Sequence, residues 1–161
     1  MQFMPLADSV LENSLFRECI GKNRKYEKKR KFCKHNMTHL LNTARIMQIL
    51  AFEENSDISR DIIYAAALLH DCGRWKQYED NTPHEIAGAE LADKILDECS
   101  CSPELKEIII NAIKNHREGG SDDELAKLLY RADKLSRPCF RCKWAKKCSW
   151  DDEKKNSELR Y

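Results

Sequence analysis

The chain is poor in glycine and proline, with five and four among 161 residues. It also has no run in which apolar and polar residues alternate as a half-buried strand requires. No internal repeat recurs. Together these absences leave an all-α fold, expected as a compact bundle of about six helices. No apolar stretch is long enough to span a membrane. Met1-Gln2-Phe3-Met4-Pro5 is not a basic segment followed by an apolar one, so no signal peptide is expected and the location expected is cytoplasmic. Charge of one sign is missing too: 28 basic against 27 acidic residues give +1. That balance gives no general attraction to nucleic acid or to a lipid surface.

Eight cysteines are plentiful. However, the chain is too long and too charged for a disulfide miniprotein, so most are expected as free thiols. Three stand close together near the C-terminus, Cys139, Cys142 and Cys148. A C-x2-C turn followed by a third cysteine suits zinc or iron–sulfur ligation, with one position left for Cys33, Cys99 or Cys101. The same residues also fit reduced thiols on a short terminal helix packed by Trp144 and Trp150.

The apolar periodicity divides the rest. A first helix is expected from about Pro5 to Ile20, with Gly21 as its stop. A basic run, Lys22 to Lys31, follows; it reads as a solvated face or as a phosphate-attracting surface. A second helix spans roughly Asn36 to Glu54, with His39 beside its apolar stripe and His35 one turn earlier. A third, capped by Asp57 or Ser59, is apolar on most sides and ends in His70-Asp71. Gly73 is expected to end it in a left-handed cap. A polar loop, Gln77 to Asn81, leads to a capping box at Thr82-Pro83-His84-Glu85. The next helix opens at Ser102-Pro103 and reaches His116. Ser121-Asp122-Asp123-Glu124 is a second capping box, starting a helix that carries Asp133 among apolar neighbours. A buried carboxylate there is costly unless paired or metal-bound.

His70-Asp71 alone fits a helix C-terminus, where a histidine offsets the macrodipole. Five segments taken together say more. His39, His70-Asp71, His84, His116 and Asp133 lie at the ends or apolar margins of separate helices, and bundle interiors are where such side chains build metal sites. The set resembles the H…HD…D signature of the HD-domain metal-dependent phosphohydrolases. Leu68-Leu69-His70-Asp71-Cys72-Gly73 is similar to that family's central turn, and Ala132-Asp133-Lys134-Leu135 to its last motif. His84 and His116 match the intervening histidines of binuclear members, including the YqeK-like hydrolases of symmetrical dinucleoside tetraphosphates.

The resemblance covers roughly Lys34 to Arg137 and implies an all-helical fold with the metal site at its centre; the domain is expected over residues 1–137, with a Cys/Trp-containing extension over 138–161, outside the resemblance, packed on it. It implies that His39, His70, Asp71 and Asp133 hold one divalent ion. Asp71 would bridge to a second ion held by His84 and His116, roughly 3.5–4 Å away. One or two ions are expected, chosen from Fe, Mn, Zn, Ni, Co and Mg. A metal-activated water would then cleave a small phosphorylated substrate of nucleotide type. His70, Asp71 and Arg74 are the catalytic candidates. Arg74, in place of the family's lysine, is expected to grip phosphate, with Lys76, Arg117 and Lys134 as further substrate-binding candidates. Two alternatives stand beside this hydrolase: a degenerate domain that binds a nucleotide or nucleic acid without cleaving it, and a small cysteine-stapled nucleic-acid-binding element.

Overall fold

A computed structural model describes residues 3–117 and 119–161. Among them the regular structure is helical throughout, in eight α-helices and two short 3-10 helices. The α-helices are α1 (Pro5–Glu12), α2 (Ser14–Tyr26), α3 (Met37–Glu53) and α4 (Arg60–Leu69), then α5 (Arg74–Asp80), α6 (His84–Glu98), α7 (Pro103–Asn115) and α8 (Glu124–Leu135). The central helix is α4. Ala65 to Leu69 are fully buried in it, and it packs against α1, α3, α7 and α8. Alanines on α4 (Ala65, Ala66, Ala67), α7 (Ala112) and α8 (Ala132) let these axes approach closely, while Leu40, Met47, Ile63, Leu68, Ile109, Ile113 and Leu129 fill the space between them.

Four local expectations are corrected. The first helix is two helices, because Asn13 takes an extended conformation and its side chain accepts the Phe16 N–H as an N-cap. Gly21 then lies inside α2 and stops nothing. The loop expected at Gln77–Asn81 is mostly helix: α5 runs to Asp80 and ends at Asn81, at φ 63°. Neither capping box forms. The Thr82 hydroxyl is turned back onto Asp80, leaving α6 without a side-chain cap, and α8 is capped by Asp123, whose carboxylate accepts the Ala126 N–H.

The fourth correction concerns Gly73. Its φ is −86°, so no left-handed backbone is needed there. A Cβ at Gly73 would instead sit 2.3 Å from the Gly88 nitrogen and 2.7 Å from the Ala87 carbonyl carbon. Glycine is required because α6 crosses directly over the turn after His70-Asp71. That close crossing sets His84 beside Asp71.

The polypeptide after α8 forms no further α-helix. Two 3-10 turns, Cys139–Arg141 and Ala145–Lys147, replace the short terminal helix expected there. Buried Asn156 pins this segment to the body, donating to the Leu135 and Arg137 carbonyls and accepting the Phe140 N–H.

Candidate metal centre

The α4 terminus, the start of α6, the end of α7 and facing positions on α3 and α8 converge on one buried point. His39, His70, Asp71, His84, His116 and Asp133 are all at most 6% exposed. They form two groups with their donor atoms within 4.8 Å of one another: His39, His70, Asp71 and Asp133 in one, Asp71, His84 and His116 in the other. Asp71 belongs to both. Its Oδ2 lies 3.0 Å from His70 Nε2 and 3.3 Å from His39 Nε2, whereas its Oδ1 faces His84 Nε2 at 3.6 Å. Asp133 Oδ1 completes the first group, 3.2 Å from His39 Nε2 and 3.9 Å from His70 Nε2.

Hydrogen bonds on the far sides of the rings set their orientation. His70 Nδ1 lies 2.7 Å from the Ala67 carbonyl and His116 Nδ1 2.6 Å from that of Ile113. A carbonyl only accepts, so both Nδ1 atoms carry a proton, and each ring in its neutral form presents the Nε2 lone pair inward. The Ser136 hydroxyl donates to the Asp133 carbonyl, so it can only accept from His39 Nδ1, 3.0 Å away. His39 Nε2 is thereby an acceptor as well, met by Arg137 Nη2 at 2.8 Å.

The donor set fits a divalent cation. Buried His70 Nε2 and Asp133 Oδ1 have no hydrogen-bond partner, an unsatisfied state that burial makes expensive. Ligand bonds near 2.1 Å put neighbouring ligands of one ion about 3.0–3.4 Å apart, close to the spacings around Asp71 Oδ2. Mixed imidazole and carboxylate donors suit Zn, Mn, Fe, Co or Ni better than a dedicated Ca or Mg cage.

The electrostatics also call for positive charge. Burial pushes Asp71 and Asp133 upward, yet the contacts of His70 and His39 and the charge of neighbouring cations outweigh it and hold both carboxyls well below the usual range. Burial opposes a charged His70, but the same carboxylates raise it to about 10. His116 and His84 go the other way, pushed down by burial to about 4 and about 2, so both are neutral ligands at ordinary pH.

The substrate-binding candidates separate. Arg74, Arg117 and Lys134 line a cavity of about 480 Å³ that opens onto Asp71, His84, His116 and Asp133. Arg74 holds Tyr78 OH at 3.2 Å and Gln77 Oε1 at 3.1 Å, with His84 Nδ1 2.8 Å away. Arg117 is tied to Glu85 at the rim, and Lys134 Nζ lies 2.5 Å from Asp133 Oδ2. Lys76 is not part of the cavity: it faces outward, beside the Trp75 ring and 3.5 Å from Asp80, because it follows Arg74 by about 200° around α5.

Sequence reasoning missed four residues. His35 lines the cavity with Nε2 4.0 Å from Asp71, its Nδ1 paired with buried Glu27. His35 lies before the Asn36 N-cap of α3, outside the helix that carries His39, so helical spacing does not place it. Arg137, one turn after Asp133, bonds His39 and the Lys34 carbonyl. Asn23, fully buried, donates to the Asp71 carbonyl and accepts the Trp75 N–H, stapling α2 to the turn. Asn23 and Glu27 lie within or beside the basic run, where nothing marks them for burial.

Known proteins and a protein family resemble this chain. The family model described as HD domain matches residues 36–137. An uncharacterised protein of Clostridium beijerinckii is 45% identical over 94% of this chain and 96% of its own. Ribonuclease Y of Mycoplasma mycoides subsp. mycoides is 31% identical over 62% of the chain, which spans 18% of that longer protein. The crystal structure of a predicted HD superfamily hydrolase from an uncultured Thermotogales bacterium superposes with a TM-score of 0.58. The two are 27% identical, over 74% of this chain and 66% of the other.

Proposed function

The chain belongs to the HD-domain family, and on that premise we propose that it is a metal-dependent phosphohydrolase acting on a phosphoester or phosphoanhydride of a small nucleotide-type substrate. One observation carries the reading: the two carboxylate oxygens of Asp71 face two separate buried donor sets. His39, His70, Asp71 and Asp133 would hold one divalent ion, and His84, His116 and Asp71 a second. The ions, when bound, supply Lewis acidity to a phosphoryl oxygen and lower the pKa of a water.

The chain's own groups do the rest. Arg74, on the cavity wall beside His84, presents a guanidinium whose fork matches two phosphate oxygens. Burial works against that charge, but Asp71 and the Tyr78 hydroxyl hold its pKa above the usual value, so it stays charged. Arg117 and Lys134 add positive charge around the rim, which concentrates an anionic substrate. Gly73 and Gly88 keep α6 pressed on the turn, holding His84 beside Asp71 to preserve the alignment on which the reaction depends. A cavity of about 480 Å³ has the volume of a small-ligand site.

The test is turnover by metal-loaded protein on p-nitrophenyl phosphate, its bis ester and a panel of nucleotides. Release that stops with chelator and returns with added Mn or Co is expected. Absence of turnover on all of them, with metal shown to be bound, would overturn the hydrolase reading. Likeness to ribonuclease Y favours a second reading, hydrolysis of a phosphodiester in RNA. A short RNA in the panel separates the two.

A further inference from the structure

The metal centre uses none of the eight cysteines. Cys19 and Cys72 are buried in the core, and Cys99 and Cys101 flank the α6–α7 turn. The other four come together. Cys33, before α3, and Cys139, Cys142 and Cys148, after α8, all line the wall of the cavity beside the metal centre. Each of those three sulfurs lies within electrostatic reach of Cys33. Of the three residues able to complete the C-terminal trio, the fold brings only Cys33 there.

The surroundings are built to hold that arrangement. The Cys142 N–H bonds the Cys139 carbonyl at 3.0 Å, closing the C-x2-C turn. Arg30 Nε fixes the Cys33 carbonyl at 2.8 Å, and Phe32 meets Trp144 edge-on at 6.4 Å, docking the two segments. Arg137 lies within reach of both Cys33 and Cys139. Lys155, whose ammonium is held chiefly by Asp152, also feels Cys148 and Cys139. Burial raises the Cys33 and Cys139 thiols, and the neighbouring sulfurs raise them further. A bound cationic centre relieves that repulsion, and the flanking cations balance the net negative charge that four thiolates leave on it.

We propose that Cys33, Cys139, Cys142 and Cys148 ligate a [4Fe–4S] cluster, a second inorganic site distinct from the His/Asp centre. A cluster accommodates wider sulfur spacing than one zinc ion does. With Zn–S bonds of about 2.3 Å, a tetrahedral site sets its sulfurs about 3.8 Å apart. Among the described residues, no three of these sulfurs lie within 4.8 Å of one another. An iron–sulfur cube holds its four cysteine sulfurs farther apart than that. Assembly takes two ferrous and two ferric ions with four inorganic sulfides into the 2+ core, and the four thiols release their protons as they bind. The cluster ties the segment just before His35 to the segment after α8, closing one side of the cavity.

The experiment is anaerobic preparation of the full chain, reconstituted with ferrous and ferric iron and sulfide, followed by assay of iron, acid-labile sulfide and visible absorption. The expected result is about four sulfides per chain and an absorption that dithionite bleaches. Sulfide distinguishes this iron from any iron in the His/Asp centre, which binds none. Cys33→Ser and Cys142→Ser should lose sulfide and colour while Cys101→Ser keeps both. Alkylation of the unsubstituted chain covers the case in which a variant fails to fold. Cys99 and Cys101 should react with iodoacetamide while the four ligands stay protected until the cluster is stripped. A single zinc without sulfide, no metal at all, or sulfide retained in Cys142→Ser would each overturn the proposal.

Discussion

The two donor sets that share Asp71 are built differently. In the four-residue set, far-side hydrogen bonds leave both His39 and His70 with Nε2 as an acceptor. His116 in the three-residue set is fixed the same way. His84 is not. Its Nδ1 lies 2.8 Å from both Gln77 Oε1 and Arg74 Nη1. Donating to Gln77 leaves Nε2 free for an ion, whereas accepting from Arg74 puts the proton on Nε2 and blocks it. One side of Asp71 is thus fixed in its tautomers, even where Arg137 Nη2 meets His39 Nε2, and the other can change tautomer and exchange an ion ligand for an arginine contact. The difference teaches that the second position is the weaker and more adjustable one, with Arg74 as its alternative partner.

Asp71→Ala removes the shared ligand and should have the largest effect. Both ions are lost, and a metal contribution of several kcal/mol corresponds to a fall in kcat of about 10³-fold or more on the bis ester. Metal analysis of the same protein decides the comparison: retention of one full equivalent means Asp71 does not serve both sets. His84→Ala comes next. It should release one ion and keep the other, with a fall of about 10²-fold, the scale of one lost electrostatic stabiliser. Simultaneous loss of both ions from His84→Ala would contradict the independence of the four-residue set.

The same contrast explains what the sequence could disclose. His39, His70-Asp71, His84, His116 and Asp133 sit at helix ends or apolar margins, and local periodicity places those. The all-helical fold was legible for the same reason, as were α3 and the Ser102 cap on α7. Asn23, Glu27 and Arg137 carry no local mark, because only α2 and α8 packing around the turn buries them. Gln77 to Asp80 of α5 are expected as loop, since their polar sequence becomes helical by stacking Trp75 and Tyr78 against α2. Gly73 shows a subtler gap: the residue type was expected there for its backbone freedom, yet it is required by a neighbouring helix.

Arg74→Lys should have a smaller effect. Lysine keeps the charge but loses the fork that spans Tyr78, Gln77 and His84. A hydrogen bond to a charged group contributes about 1.5–3 kcal/mol, so KM should rise by about one to two powers of ten. Freed from its alternative partner, His84 should hold the second ion at least as tightly. Weaker binding of that ion would show that Arg74 supports the ligand rather than competing with it.

Ser136→Ala probes the fixed side and should have the smallest effect. It deletes the acceptor for His39 Nδ1 while touching no donor atom of the site. Thr43 Oγ1, 3.5 Å away, is then the nearest remaining partner. A lost far-side bond to a ligating imidazole costs about tenfold in metal affinity. Competition titration with a chromophoric chelator should therefore show one ion weakened by about that factor. Activity at saturating metal should be nearly unchanged, because the ligand itself remains. Equal weakening of both ions would mean that Asp71 couples the two positions more tightly than their separate supports imply.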